Sequence, residues 1–202
     1  MKIIDTIQGS QEWLNIRGMY PTASNFDKIL TPTGHPSKQA EKYMYQLVGN
    51  RISGYIPETF KSQAMQDGTE KEPKARILFE VMTDLSVHEV GFCLHDSGMF
   101  GGSPDGLIND DCGIEIKSPL AHTHIEYLLA NKVPTCYISQ VQGYMLICDL
   151  SHYYFMSYYH GIKPLIINVP RDDKYCAALK VELEAFCEKL DKLEKRIREI
   201  NG

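Results

Sequence analysis

The sequence predicts an α/β domain in which helices flank a central sheet. Apolar runs of strand type recur at Val87 to Leu94, Leu107 to Lys117, His152 to Tyr158 and Leu165 to Val169, and stretches with apolar residues at helical spacing lie before, between and after them. Size is the second observation. A chain of 202 residues with 43% hydrophobic content buries one sizeable core, so a single domain over residues 1–202 is expected.

Taken in order, Trp13, Leu14 and Ile16 are packing residues of a first segment that Pro21 and Thr22 interrupt, and a short helix follows from about Ala23 to Leu30. The proline- and glycine-bearing run to Ser37 is a loop. Ser37 then caps a helix whose Ala40, Tyr43, Met44, Leu47, Val48 and Ile52 form a core stripe, ending at Ser53-Gly54. A further helix is expected to start near Thr69, where Thr69-x-x-Glu72 reads as a capping box and Pro73 falls in the first turn; Ala75, Ile77, Leu78, Phe79 and Met82 give its apolar side.

Past the strand at Val87 to Leu94, Asp96 to Gly98 makes a turn into the stretch Met99 to Pro119. His122 and His124 lie two apart with no other residue at ligand spacing, so a solvated loop pair is expected. From Pro134 a helix carries Tyr137, Val141, Tyr144, Met145 and Cys148 on one side, with Gln140 bordering it and Gln142 pointing away. The last two strands read as a hairpin. The stripe Leu183, Phe186, Leu190, Leu193, Ile197 and Ile200 marks a charged final helix that packs on the sheet or seals a subunit contact.

Composition narrows the class. The start Met-Lys-Ile-Ile-Asp lacks the apolar run of a signal peptide, and no segment approaches the roughly 18 apolar residues of a membrane span, so a cytoplasmic protein with no membrane partner is expected. The six cysteines are scattered without a Cys-x-x-Cys, which argues against zinc or an iron–sulfur cluster. A net charge of −5 argues against bulk attraction to DNA; any such contact has to be local, metal-assisted or pooled by oligomerisation.

The chemistry concentrates between Met99 and Pro119. Ile114 and Ile116 alternate with Glu115 and Lys117, so the isoleucines enter a core while carboxylate and ammonium leave the opposite face together. Asp105 sits in a Pro-Asp-Gly turn, and Asn109 to Gly113 lets Leu107-Ile108 fold back on the strand, bringing Asp105 next to Glu115. Two converging carboxylates make a hard oxygen site suited to Mg²⁺, with Mn²⁺ as the alternative. Beside them Lys117 orients or deprotonates an attacking water and offsets charge on a phosphate, the set that phosphodiester hydrolysis needs.

Ser103-Pro104-Asp105-Gly106 followed by Glu115-x-Lys117 in an apolar strand resembles the PD-(D/E)xK nuclease superfamily, and within it the phage lambda exonuclease type that includes YqaJ-like viral recombinases. Three further stretches carry the resemblance: Trp13, Arg17 and Thr22-Ala23-Ser24; Glu72 to Glu80 with its Ala75-Arg76; and Tyr137-Ile-Ser-Gln140-Val-Gln142. It implies a restriction-endonuclease-like fold with a mixed central sheet. It also implies a metal held by Asp105, Glu115 and the Ile116 carbonyl, a supporting carboxylate at Glu72 with Glu70 as fallback, and Lys117 at the attacking water. A 5′-phosphate pocket of Arg17, Ser24, Ser103 and Gln140 follows, with Tyr137 beside it. The activity implied is 5′-to-3′ digestion of one strand of linear duplex DNA, leaving a 3′ overhang, by a ring-shaped homotrimer working with a single-strand annealing protein. An endonuclease on the same fold and a catalytically silent DNA-binding subunit are the rival readings. The first has no use for a terminal-phosphate pocket, and the second predicts a broken Asp-Glu-Lys set.

Overall fold

The computed structural model describes residues 1–56, 63–109 and 111–202, and side chains outside 57–70 and 110. Two sheets form. β1 (Lys2–Ile4), β2 (Phe92–Leu94) and β3 (Gly101–Gly102) make a small antiparallel sheet. β4 (Gly106–Ile108), β5 (Cys112–Lys117), β6 (His152–Ser157) and β7 (Leu165–Pro170) make the larger one, in that order. Its outer pairs are antiparallel and β5 runs parallel to β6, so the sheet is mixed. The parallel pair needs a crossover, supplied by α4 (Ala121–Ala130) and α5 (Ile138–Cys148).

The larger sheet is covered on both faces. On one, Ile114 and Ile116 pack with Ala75 and Phe79 of α3 (Gln63–Thr83), Ile108 and Met156. On the other, Tyr153 and Phe155 pack with Val141, Tyr144 and Met145 of α5, and the core continues into Tyr43 and Leu47 of α2 (Ala40–Ser53) and Leu179, Leu183 and Phe186 of α6 (Asp173–Asn201). The period-two reading of β5 therefore holds for the isoleucines. Glu115, however, is 1% exposed, because α5 covers its face as well.

Several elements depart from expectation. α3 starts at Gln63, so Thr69-x-x-Glu72 is mid-helix and no capping box, and Pro73 is an interior proline without an N–H to give the preceding turn. The fallback Glu70 lies outside the described side chains. The segment from Ala23 is a 3-10 helix, Ala23–Lys28. Ser37 stands two residues before the N-cap of α2, which Gln39 occupies, and its hydroxyl accepts from the Gln39 N–H at 3.3 Å. The strand expected from Val87 is cut to Phe92–Leu94 because two sheets claim its ends: His88 bridges Leu107 of β4, whereas Phe92 to Leu94 pair with β1.

The histidine pair is not a solvated loop. Both lie on α4, and His124 is fully buried, with Nδ1 2.8 Å from the Ser157 hydroxyl and Nε2 3.1 Å from the Lys163 carbonyl oxygen. Gln142 is buried too; its amide donates to the Pro170 carbonyl at 3.1 Å and accepts from the Asp172 N–H at 2.9 Å, pinning α5 to the turn that opens α6. Leu183, Phe186 and Leu190 of the α6 stripe join the core they share with α2 and α5, with Tyr43 and Phe186 stacked at 5.8 Å, whereas Ile200 is exposed.

Two glycines set how closely α5 approaches. A Cβ on Gly143 would come within 2.5 Å of the Phe26 ring, and one on Gly102 within 2.8 Å of Tyr144. Any side chain at either place would push α5 off the 3-10 helix and β3, and with it Gln140 and Tyr144.

Candidate active site

The β4–β5 hairpin places Gly106 opposite Ile114, so Asp105 is carried just beyond the pairing and faces Glu115 and Ile116. Its Oδ2 accepts the Ile116 N–H at 2.7 Å, which fixes the carboxylate against the strand. N–H and C=O of one strand residue leave on the same side, so the Ile116 carbonyl also turns toward Asp105 and away from β6.

Glu115 Oε1 is bound twice, by the Lys117 ammonium in an ion pair and by the Gln140 amide at 2.7 Å. Its Oε2 is buried without a hydrogen-bond partner among the described residues. The Lys117 ammonium lies 5.1 Å from the centre of the Tyr137 ring. Glu72 comes in from α3, held by Arg76 one turn on at 2.6 Å; the same guanidinium reaches the Asp105 carbonyl at 3.3 Å and pairs with Glu89. Arg76 is the residue that sequence reasoning left without a role. Its signal was there in the i, i+4 spacing from Glu72, but nothing local reveals that it also touches Asp105.

Glu72, Asp105 and Glu115 act on one another through their charges, and their acidities reflect it. Burial, then the charge of Asp105, pushes Glu115 up to about 7, against the pull of Lys117. Burial and Asp105 push Glu72 up to about 7 as well, opposed by Arg76. Asp105 is raised by burial despite Lys117 and the Ile116 N–H. For Lys117 burial acts against the ammonium, but Glu115 and Asp105 outweigh it and hold its pKa above the ordinary value.

A stability prediction follows. Carboxylic acids whose folded pKa is raised stabilise the fold fully below their unfolded pKa and lose that contribution as pH climbs through the folded one. For Glu115 that window runs from 4.5 to about 7. The thermal midpoint of the metal-free protein should fall across it, and Glu115→Gln should flatten the fall. Parallel curves for the two proteins would refute this account of the site.

The second group of residues lies on the adjoining elements. Arg17, in the last turn of α1 (Gln11–Met19), donates to the Ser24 hydroxyl at 3.1 Å, and its guanidinium lies over the Trp13 ring at 4.3 Å. The Trp13 indole N–H donates to the Ser103 hydroxyl at 2.8 Å. Tyr144 then donates to the Ser103 carbonyl at 2.9 Å and takes a hydrogen bond from Gln140 at 3.2 Å. Arg17, Ser24, Ser103 and Gln140 thus belong to one chain of contacts ending on Glu115 and Lys117. Gln140 stands at its carboxylate end, with its amide nitrogen committed to Glu115 and Tyr144. Tyr144 is the link that the sequence marked only as a packing residue; Trp13 was marked as packing and as part of the motif with Arg17.

Among the described residues no three His, Cys, Asp or Glu side chains converge as a ready-made metal cluster. The donors nonetheless fit a hard divalent ion. Glu115 keeps an orphaned buried oxygen and feels the charge of Asp105, and carboxylates that raise one another's pKa mark a local excess of negative charge.

The YqaJ-like viral recombinase domain matches residues 12–151. The fold superposes on an alkaline exonuclease, LHK-Exo from Laribacter hongkongensis, with a TM-score of 0.86 and 31% identity over 95% of this chain and 98% of that one. The complex of LHK-Exo with dAMP gives 0.85 at the same identity and coverage. A phage-related exonuclease from Haemophilus somnus 129PT shares the fold at a TM-score of 0.70 and 15% identity, covering 91% of this chain and 99% of that one. No curated protein matches the sequence. With its domain matched over most of the length and its fold that of an alkaline exonuclease, the chain belongs to the YqaJ-like viral recombinase family, in the lambda-exonuclease type of the PD-(D/E)xK nucleases.

Proposed function

We propose that this protein, as one nuclease domain, digests one strand of linear duplex DNA from its 5′ end and leaves a 3′ single-stranded overhang for recombination by annealing. Exonuclease activity comes with the family; the direction, the metal and the overhang are the finer reading. The observation that carries it is the unbroken run of contacts from Arg17 through Trp13, Ser103, Tyr144 and Gln140 to Glu115 and Lys117. It joins a guanidinium and two serines, which suit a phosphate, to a carboxylate and lysine set suited to cutting one.

Asp105, Glu115 and the Ile116 carbonyl would hold Mg²⁺ or Mn²⁺, with Glu72 in support. When bound, the ion supplies Lewis-acid polarisation of the phosphate under attack. Lys117, kept as an ammonium by its carboxylate neighbours, donates hydrogen bonds to the attacking water and offsets charge on the phosphate. Tyr137 caps that ammonium with its ring face. Arg17, Ser24 and Ser103 take the terminal 5′ phosphate, and Gln140 spans the two halves.

An acidic chain that tracks along DNA has to be held by geometry, so a trimeric ring that hands its product to a single-strand annealing protein completes the proposal, in the cytoplasm of a bacterial host. Among the described residues no helix is long and apolar enough to cross a membrane.

The test uses purified protein, expected in light scattering as three chains of 23.0 kDa, on duplexes that differ only in their 5′ ends. Ends with 5′ hydroxyls should be digested more slowly than phosphorylated ones, and Arg17→Ala should erase most of that difference. A charge-assisted contact is worth about 1.5–3 kcal/mol, roughly ten- to a hundredfold. Closed circles should resist. Circles cut as fast as linear DNA, or equal slowing of both ends by Arg17→Ala, would instead indicate an endonuclease.

A further inference from the structure

We propose that Trp13 is a positioning group that forces the Ser103 hydroxyl to act as a hydrogen-bond donor. The pocket then selects a fully ionised terminal phosphate over any end group that carries protons or a single charge. The inference rests on the reading of Arg17, Ser24 and Ser103 as a terminal-phosphate pocket.

An indole N–H only donates, so Ser103 Oγ, 2.8 Å away, is the acceptor. Its own proton has to point elsewhere. Ser103 is buried, and among the described residues no acceptor faces that proton, so it is a donor waiting for a partner.

Ser24 sits among donors as well: its hydroxyl accepts from Arg17 at 3.1 Å and lies 3.5 Å from Asn25 Nδ2, while its 3.3 Å contact with Thr22 Oγ1 can run in either direction. Arg17 and the Ser103 hydroxyl thus present donors to the pocket. A group without protons and with two negative charges satisfies such a rim. A hydroxyl end meets donors with a donor, and a phosphate ester of single charge offers weaker acceptors.

Trp13 is the only tryptophan in the chain, which supplies a direct readout. In EDTA, a 5′-phosphorylated duplex should change the tryptophan emission of the wild-type protein, whereas duplexes ending in 5′ hydroxyl or 5′ methyl phosphate should change it little. Trp13→Phe keeps an aromatic ring under Arg17 and removes the N–H. It should narrow the rate preference for phosphate over hydroxyl ends about three- to tenfold, the worth of one hydrogen bond. In a Ser103→Ala background it should narrow the preference no further, because Trp13 acts through that hydroxyl. A residue that serves stability alone would lower the melting temperature and the rates on both ends together. Independent, multiplying effects of Trp13→Phe and Ser103→Ala, or equal emission changes with all three ends, would overturn the proposal. If Arg17→Ala erases the end preference while that independence is found, only the positioning role of Trp13 fails. If Arg17→Ala leaves the preference intact, the pocket reading itself fails.

Discussion

Lys117→Ala is expected to lower digestion of linear duplex DNA by about 10²- to 10⁴-fold, the range over which a positioned proton-transfer or charge-stabilising group acts. The ammonium is paired with Glu115 and set against the Tyr137 ring, so it cannot drift to a compensating position when substrate arrives. It is not an oxygen donor, so metal affinity measured by calorimetry should stay close to wild type. The fold should survive as well. Glu115 keeps its hydrogen bond from Gln140, and a carboxyl whose pKa already stands at about 7 can take up a proton when its cation is removed. Single-turnover digestion of a phosphorylated duplex, with a melting curve beside it, checks both halves. Wild-type rates in the variant would remove Lys117 from the chemistry.

Asp105→Ala is expected to cost still more generally, because that carboxylate has two jobs. On the proposed reading it is one of the two close oxygen donors to the metal, and its Oδ2 accepts the Ile116 N–H at 2.7 Å, which holds the end of β5 in place. Losing a ligand forfeits several kcal/mol of transition-state stabilisation, or about a thousandfold in rate. Calorimetry should find divalent-ion affinity reduced together with activity. Asp105→Asn, which can still accept the Ile116 N–H, should preserve the melting temperature better than alanine while remaining inactive. Digestion that continues unabated in EDTA would contradict the assignment of both carboxylates.

How much could be read in advance depended on how local the cause was. Asp105, Glu115 and Lys117 meet through a hairpin whose turn and alternation lie within about a dozen residues, so their convergence followed from period and turn chemistry alone. The start of α3 did not, because a threonine three before a glutamate looks the same at a cap and in mid-helix, and only the wider context distinguishes them. Burial of His124 depends on Ser157 and Lys163, more than thirty residues away, and no neighbour in sequence signals it. The same holds for Gln142, whose partners sit at the entrance to α6. Arg17, Ser24 and Gln140 were singled out only through resemblance to a family. Residue types alone do not foretell that Trp13 would reach across 90 positions to Ser103, the contact that ties that group to the carboxylates.

That tie has a consequence for how the reaction repeats. On the proposed reading, the place where the chain end is gripped and the place where it is cut are two ends of one rigid frame, so their separation acts as a ruler that measures off a fixed increment of strand. A cut that releases the 3′ oxygen of the outgoing nucleotide leaves a new 5′ phosphate on the strand that remains. The group the Arg17 corner takes hold of is thus both the signal to begin and the residue of every completed cycle, and each turnover renews the end that the next one starts from.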